Sequence, residues 1–354
     1  MKLIPKSGPL DATVTAPPSK SYSVRALLLA AMSNGTTTVL NCLDADDTRY
    51  ALEALRSLGY DIAGSFNREL YIGARKSMSA NEVPIFVGNA GTAMRFFTGW
   101  LAFTPGRFLL HGEERMHERP IGDLVEVLTK IDAEVEYVEK EGYPPLRIRG
   151  KKMRGGFDVT ISAETSSQFV SALMLGGATL PDGITLRIST MASGPYIDIT
   201  ADILQTFGAQ VTRDGNTIHV RAGRLERAEY RVEGDYSSAS YWFAAAAATK
   251  GRMRVRGLAI PTAQGDAGFL DILKAMGCTI DVSPDEIVVT GAEQLRGGVF
   301  DCNGTPDVVP TLAAIAPLAE AVAKGQTQGF VPVDHKTYES TVEMRKQLKD
   351  ARKS

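Results

Sequence analysis

The chain has 354 residues, a formal net charge of -2, and 44% hydrophobic against 23% charged residues. That is the make-up of an ordinary globular protein with room for two domains. No dense basic block marks a nucleic-acid surface, and the most apolar run, Tyr241-Trp242-Phe243 into Ala244 to Ala248, is too short to span a bilayer.

The start, Met1-Lys2-Leu3-Ile4-Pro5-Lys6, lacks the long apolar core of a signal peptide. The three cysteines, Cys42, Cys278 and Cys302, are scattered, and the four histidines, His111, His117, His219 and His335, show no ligand spacing. These features predict no disulfide framework, no metal site and a cytoplasmic protein.

In chain order, the alternating run Leu10-Asp11-Ala12-Thr13-Val14-Thr15 predicts a strand, and Ala26-Leu27-Leu28-Leu29-Ala30-Ala31 a buried helix. Between them, Pro17-Pro18 stops the strand and Ser19 or Ser21 caps the helix. Lys20, Ser21 and Arg25 thus gather at a helix N-terminus, where free N–H groups and the helix dipole favour an anion such as a phosphate or carboxylate. The plainer alternative for this stretch alone is a capped helix with solvated cations.

The pattern of strand, small polar residues, apolar helix, glycine and strand then recurs. Its second copy runs from Val83 to Val87, through Asn89-Ala90-Gly91-Thr92, to Gly106–Leu110. The third links Phe157–Ile161, Thr165-Ser166-Ser167-Gln168 and Ile184–Ile188. The fourth links Tyr230-Arg231-Val232, Asp235-Tyr236-Ser237-Ser238 and Met253–Arg256. The fifth opens with a strand at Val299-Phe300-Asp301-Cys302, then Thr305-Pro306-Asp307 and a helix from Leu312 to Ala321. The first copy runs from Ala12-Thr13-Val14 through Ser19-Lys20-Ser21 and the Leu27 helix to Thr36–Leu40. Each copy has a second half of amphipathic helix and hairpin, so the unit is βαβαββ, repeated about every 70 residues. Helices with long apolar runs call for burial nearly all round, as helices inside and sheets outside would provide.

At this point the residues resemble a family. Pro18-Ser19-Lys20-Ser21 with Arg25, Gly88-Asn89-Ala90-Gly91-Thr92-Ala93-Met94-Arg95, Arg115-Met116-His117-Glu118-Arg119-Pro120-Ile121-Gly122, Ser166-Ser167-Gln168, Ser193-Gly194-Pro195-Tyr196 and Gly234-Asp235-Tyr236-Ser237-Ser238-Ala239 occur in order and spacing. Over roughly residues 2 to 320 the chain is similar to the 5-enolpyruvylshikimate-3-phosphate (EPSP) synthases. It is less similar to the UDP-N-acetylglucosamine enolpyruvyl transferases, which have Asn after the early Lys and lack this Arg-Pro-Ile-Gly and Ser-Ser-Gln pattern. The resemblance implies a two-domain inside-out α/β barrel of βαβαββ repeats. Residues 19–234 would form a complete three-repeat domain, and residues 1–18 with 235–354 a second, incomplete one.

The reaction so implied moves the enolpyruvyl group of phosphoenolpyruvate onto the 5-hydroxyl of shikimate 3-phosphate and releases phosphate, with no cofactor and no metal. Both substrates are polyanions, so the site needs several cations and N–H donors. By the match, Lys20 touches both substrates and is catalytic. Ser21, Arg25, Ser166, Ser167, Gln168, Ser193, Tyr196 and Asp307 join it around shikimate 3-phosphate. Asn89, Gly91, Thr92, Arg115, Arg119 and Gln168 serve phosphoenolpyruvate. Asp307 takes the 5-hydroxyl proton. Taken singly, Ser166, Ser193 and Asp235 read as helix caps, Gly91 as a turn glycine, Asn89 as an Asx turn, Arg115 and Arg119 as a solvated face, and Asp307 as a first-turn acid. Their coincidence in register favours the site.

The likeness fails near the end. Where the family carries an Arg-x-Lys-Glu-x-Asp-Arg stretch, this chain reads Phe330 to Ser340, with Lys336 and Glu339 as the candidates to stand in. A final helix is expected from Tyr338 to Ala351, and the rest of repeats five and six is absent. The expectation is shikimate 3-phosphate binding, weak phosphoenolpyruvate binding and an oligomer formed through the incomplete domain. The alternatives are a catalytically impaired paralogue that binds shikimate 3-phosphate, or a non-enzymatic partner protein.

Overall fold

The computed structural model describes residues 8–76, 80–191 and 194–320. Pro18–Glu233 form one compact unit and the described residues on either side of that span form another. In chain order the elements are β1 (Asp11–Thr15), α1 (Lys20–Met32), β2 (Thr37–Leu40), α2 (Asp46–Ser57), β3 (Tyr60–Gly64), β4 (Glu69–Arg75), β5 (Val83–Phe86), α3 (Gly91–Leu101), β6 (Gly106–His111), α4 (Gly122–Lys130), β7 (Glu134–Tyr137) and β8 (Leu146–Gly150). They continue with β9 (Phe157–Ala163), α5 (Ser167–Gly177), β10 (Ile184–Met191), α6 (Pro195–Thr206), β11 (Gln210–Asp214), β12 (Thr217–Arg221), β13 (Glu229–Arg231), α7 (Tyr236–Thr249), β14 (Arg252–Arg256), α8 (Phe269–Ala275), β15 (Thr279–Val282), β16 (Glu286–Thr290) and α9 (Val309–Ile315).

The described strands form four sheets with one plan. In each, two parallel strands lie side by side and a hairpin adds antiparallel to one of them; only in the pairs β5/β6 and β9/β10 does a single helix join the two parallel strands. The orders are β13-β2-β4-β3, β5-β6-β8-β7 and β9-β10-β12-β11 in the Pro18–Glu233 unit, and β1-β14-β16-β15 in the other. The βαβαββ unit read from the sequence is therefore present.

The pairing of two strands adds what the order of the copies along the chain does not show. β1 does not open the sheet of β2; it runs parallel to β14, Asp11 against Arg252 through Thr15 against Arg256. The partner of β2 is β13, with Glu229 against Thr38 and Arg231 against Leu40. The first strands of copies one and four are exchanged. Each lies just before the chain passes from one unit to the other and pairs in the unit it is leaving. Backbone bonds hold both crossings: Ser19 N–H donates to Glu233 O (2.8 Å) and Asp235 N–H to Pro17 O (2.8 Å).

Copy five is corrected. Residues 299–302 are not a strand, and Val299 is 74% exposed. The helix starts earlier, at Val309, and ends at Ile315, followed by a 3-10 turn over Ala316–Leu318. Pro310 suits the first turn, and Pro317 removes the N–H that would carry the α-helix on. The helix expected from Tyr338, with Lys336 and Glu339, lies outside the described residues.

Helices α1, α3 and α5 are the core of the Pro18–Glu233 unit. Tyr22 to Ala31 of α1 and Phe169 to Gly177 of α5 are buried without a break. α3 and α5 meet backbone to backbone: a Cβ on Gly99 would sit 2.4 Å from Ala172 O, and one on Gly176 2.4 Å from Gly99 O. Only glycine permits that approach. In the other unit, α7 packs Phe243 and its alanines against Met253, Phe269, Leu273 and Leu312. Among the described residues no helix is long and apolar enough to cross a membrane.

Candidate functional site

The site of the Pro18–Glu233 unit is built at the starts of its three core helices. Ser19, extended at φ -66° and ψ 124°, caps α1 by accepting from Tyr22 N–H (3.5 Å), which leaves Lys20 exposed as the first helical residue. Ser166 caps α5 through Gln168 N–H (3.2 Å), so the helix-cap reading of Ser166 is correct as far as it goes. Ser167 is buried beside it. α3 begins at Gly91 with no side-chain cap.

Side chains tie these starts together. Gln168 accepts from Arg95 Nη1 (2.6 Å) and donates to Thr92 Oγ1 (3.2 Å), which joins α5 to the first turn of α3. Arg119 follows a 3-10 turn at Glu114–Glu118 and donates to Asn89 O (2.9 Å). A Cβ on Gly91 would lie 2.5 Å from the Arg119 guanidinium carbon, so this glycine admits the cation to the helix start. The Asn89 amide donates to Glu113, whose other oxygen accepts from Tyr50 (3.3 Å).

Arg25 is more deeply placed than a solvated cation: it is 1% exposed. It donates to Thr200 Oγ1 (2.8 Å), Ser21 O (2.9 Å), Tyr196 O (3.1 Å) and Ser171 Oγ (3.4 Å), and lies 4.8 Å from the Phe96 ring centroid. It therefore joins α1 to α6 and α5, and brings Ser21 and Tyr196 into one network. Burial pulls its guanidinium down to about 10, so it stays charged at neutral pH.

Arg95 is a residue the sequence reading quoted but did not place in the site. It is 8% exposed and also donates to Pro120 O (3.4 Å), with its guanidinium 5.3 Å from the Phe169 ring. Burial, then the charge of Arg119, lowers it to about 10. Two guanidinium groups that disfavour each other, at a helix N-terminus, make a place where an anion is stabilised. The available signal was a lone cation within the apolar run from Ala93 to Leu101. Glu113 had none.

Not every expected residue joins this network. Arg115 is exposed on its 3-10 turn. Ser193 lies outside the described residues. Asp307 belongs to the other unit, exposed on a 3-10 turn at Pro306–Val308. There Asp235 caps α7, accepting from Ser238 N–H (2.7 Å), and Asp266, on a 3-10 turn at Gly265–Gly268, is buried against Ser237. Burial, with smaller contributions from Asp307 and Asp235, pushes the Asp266 carboxyl up to about 6, against the opposing hydrogen bond from Ser237. Among the described residues no group of three or more His, Cys, Asp or Glu side chains is arranged to hold a metal ion.

Comparison with known proteins identifies the family. The family profile described as EPSP synthase (3-phosphoshikimate 1-carboxyvinyltransferase) matches residues 4–340. The 3-phosphoshikimate 1-carboxyvinyltransferase of Erwinia tasmaniensis is 42% identical over 318 residues, covering 88% of this chain and 74% of that protein. Among solved structures, an EPSP synthase from Acinetobacter baumannii superposes with a TM-score of 0.77 at 26% identity, over 90% of this chain and 73% of that one. The enolpyruvyl transferase NikO from Streptomyces tendae shares the fold, with a TM-score of 0.69 at 18% identity over 89% of this chain and 74% of that one.

Proposed function

The chain belongs to the EPSP synthase family, the 3-phosphoshikimate 1-carboxyvinyltransferases, and from that premise we propose how its residues divide the work. The enzyme transfers the enolpyruvyl group of phosphoenolpyruvate to the 5-hydroxyl of shikimate 3-phosphate. The hydroxyl oxygen adds to the substituted carbon of phosphoenolpyruvate, losing its proton, while the methylene carbon gains one. Loss of phosphate and of a methyl proton restores the double bond.

In this reading Arg119, Asn89, Thr92 and the start of α3 hold phosphoenolpyruvate, with Gln168 between the substrates. Ser21, Arg25, Ser166, Ser167, Ser193 and Tyr196 hold shikimate 3-phosphate. Lys20 contacts both, Arg115 adds charge, and Asp307 accepts the hydroxyl proton. The observation that carries the assignment is the pair Arg95 and Arg119, held at an uncapped helix start and joined by Gln168 and Thr92 to the start of α5. An enzyme whose substrates are both polyanions needs such a place.

The test is phosphate release by the purified chain. Release that requires both substrates together is expected, with the enolpyruvyl ether as coproduct. Phosphate formed from phosphoenolpyruvate alone, at a rate shikimate 3-phosphate does not change, would sink the proposal.

Gly91 gives a second test. Gly91→Ala places a methyl against the Arg119 guanidinium, which is the end of a flexible side chain and able to swing away. Stability is expected to change by less than about 1 kcal/mol. Phosphoenolpyruvate affinity is expected to fall about tenfold, because one charge-assisted contact is worth about 1.5–3 kcal/mol. Calorimetry and a thermal melt read the two effects; unchanged affinity would separate Gly91 from the binding of that substrate.

A further inference from the structure

We infer that Asp266 is a positioning residue: its buried carboxylate holds the Pro306–Val308 turn, and with it Asp307, against the start of α7. The inference rests on the proposed role of Asp307 as the base and deepens it. Asp266 is 7% exposed, on the 3-10 turn Gly265–Gly268. Its carboxyl accepts from the Ser237 hydroxyl in the first turn of α7 and from the Asp307 backbone N–H. One side chain thus bridges two elements remote in sequence, and the second carries the base.

A carboxyl buried next to two others is a destabilising choice when ionised, and an amide of the same shape would avoid the cost. The acids that act on it are Asp235, which caps α7, and Asp307 itself. α8, packed on the same turn, carries Asp271 and Lys274. An ionised Asp266 accepts both hydrogen bonds; once protonated, it carries a hydrogen that competes for one of them and the hold on Asp307 loosens.

The sign follows from the shift. The Asp266 carboxyl is raised from its ordinary 3.8 to about 6 in the folded chain. Its stabilising contribution is full below pH 3.8 and is lost as the pH rises through about 6. At pH 7.5 the group is ionised and costs stability, so Asp266→Asn is expected to melt higher than wild type there, with the gain gone below pH 4 or so.

The experiment uses the full chain labelled with 15N-aspartate, with the Asp307 amide signal identified by its loss in Asp307→Asn. In wild type that amide shift is expected to titrate with a midpoint near pH 6, following Asp266. In Asp266→Asn the titration disappears. In Ser237→Ala, where a hydrogen bond that lowers the Asp266 midpoint is gone, it moves to higher pH. The acid limb of phosphate release should follow the same three patterns, and kcat of Asp266→Asn at pH 7.5 should fall about tenfold with KM nearly unchanged. An Asp307 amide that titrates alike in all three proteins overturns the inference; if Asp266→Asn does not fold, Ser237→Ala alone decides it. Full turnover by Asp307→Asn would instead remove the base assignment and leave the amide titration to report on the contact itself.

Discussion

Asp307→Asn is expected to lower turnover by roughly 10²–10⁴-fold, the loss typical when a positioned base is removed. The amide keeps the shape of the carboxylate but cannot take a proton from the 5-hydroxyl. Asp307 is exposed on a short 3-10 turn, so the substitution should leave stability within about 0.5 kcal/mol of wild type. Substrate affinities should change far less than kcat, because the base acts on a proton in flight rather than on a ground-state contact. Steady-state kinetics with both substrates varied, alongside a melt, separate these effects. A fall of less than tenfold would show that another group removes the proton.

The second large effect is expected at Arg25. Removing a side chain that is 1% exposed leaves a cavity and takes away one donor each from Thr200 Oγ1, Ser21 O and Tyr196 O. Arg25→Ala should therefore lose about 2–5 kcal/mol of stability. Shikimate 3-phosphate affinity should fall at least tenfold at a temperature where the variant is still folded, since a charge-assisted contact is worth about 1.5–3 kcal/mol. Arg25→Lys keeps the charge but not the planar fork that reaches Thr200, Ser21 and Tyr196 at once, and should fall between the two. Calorimetry and chemical denaturation read the two losses independently. If Arg25→Ala melted late but bound as wild type, Arg25 would be neither tie nor ligand; if it only melted early, Arg25 would be a tie alone.

Much of this protein follows from local chemistry. Apolar runs such as Leu27-Leu28-Leu29 demand buried helices, and the prolines at 17 and 18 followed by Ser19 start α1 where the sequence places it. The recurring strand, capped helix and hairpin made the βαβαββ unit legible, and six motifs in register pointed to the family. What the sequence could not decide was which distant strands pair. β1 and β13 are both short strands followed by a helix with a small polar start, and neither its alternation nor its length chooses between β2 and β14. Tertiary packing makes the choice between strands as far apart as Asp11 and Arg252, or Thr38 and Glu229. Likewise, Arg25 reads as a cation at a helix start, and its burial appears only when Thr200 and Tyr196 are folded over it. Arg95 and Asp266 acquire their roles only when α5 and the Asp307 turn arrive beside them. Hydrophobic period and capping are local and survive in the sequence; the partners of buried charges are long-range and exist only in the folded chain.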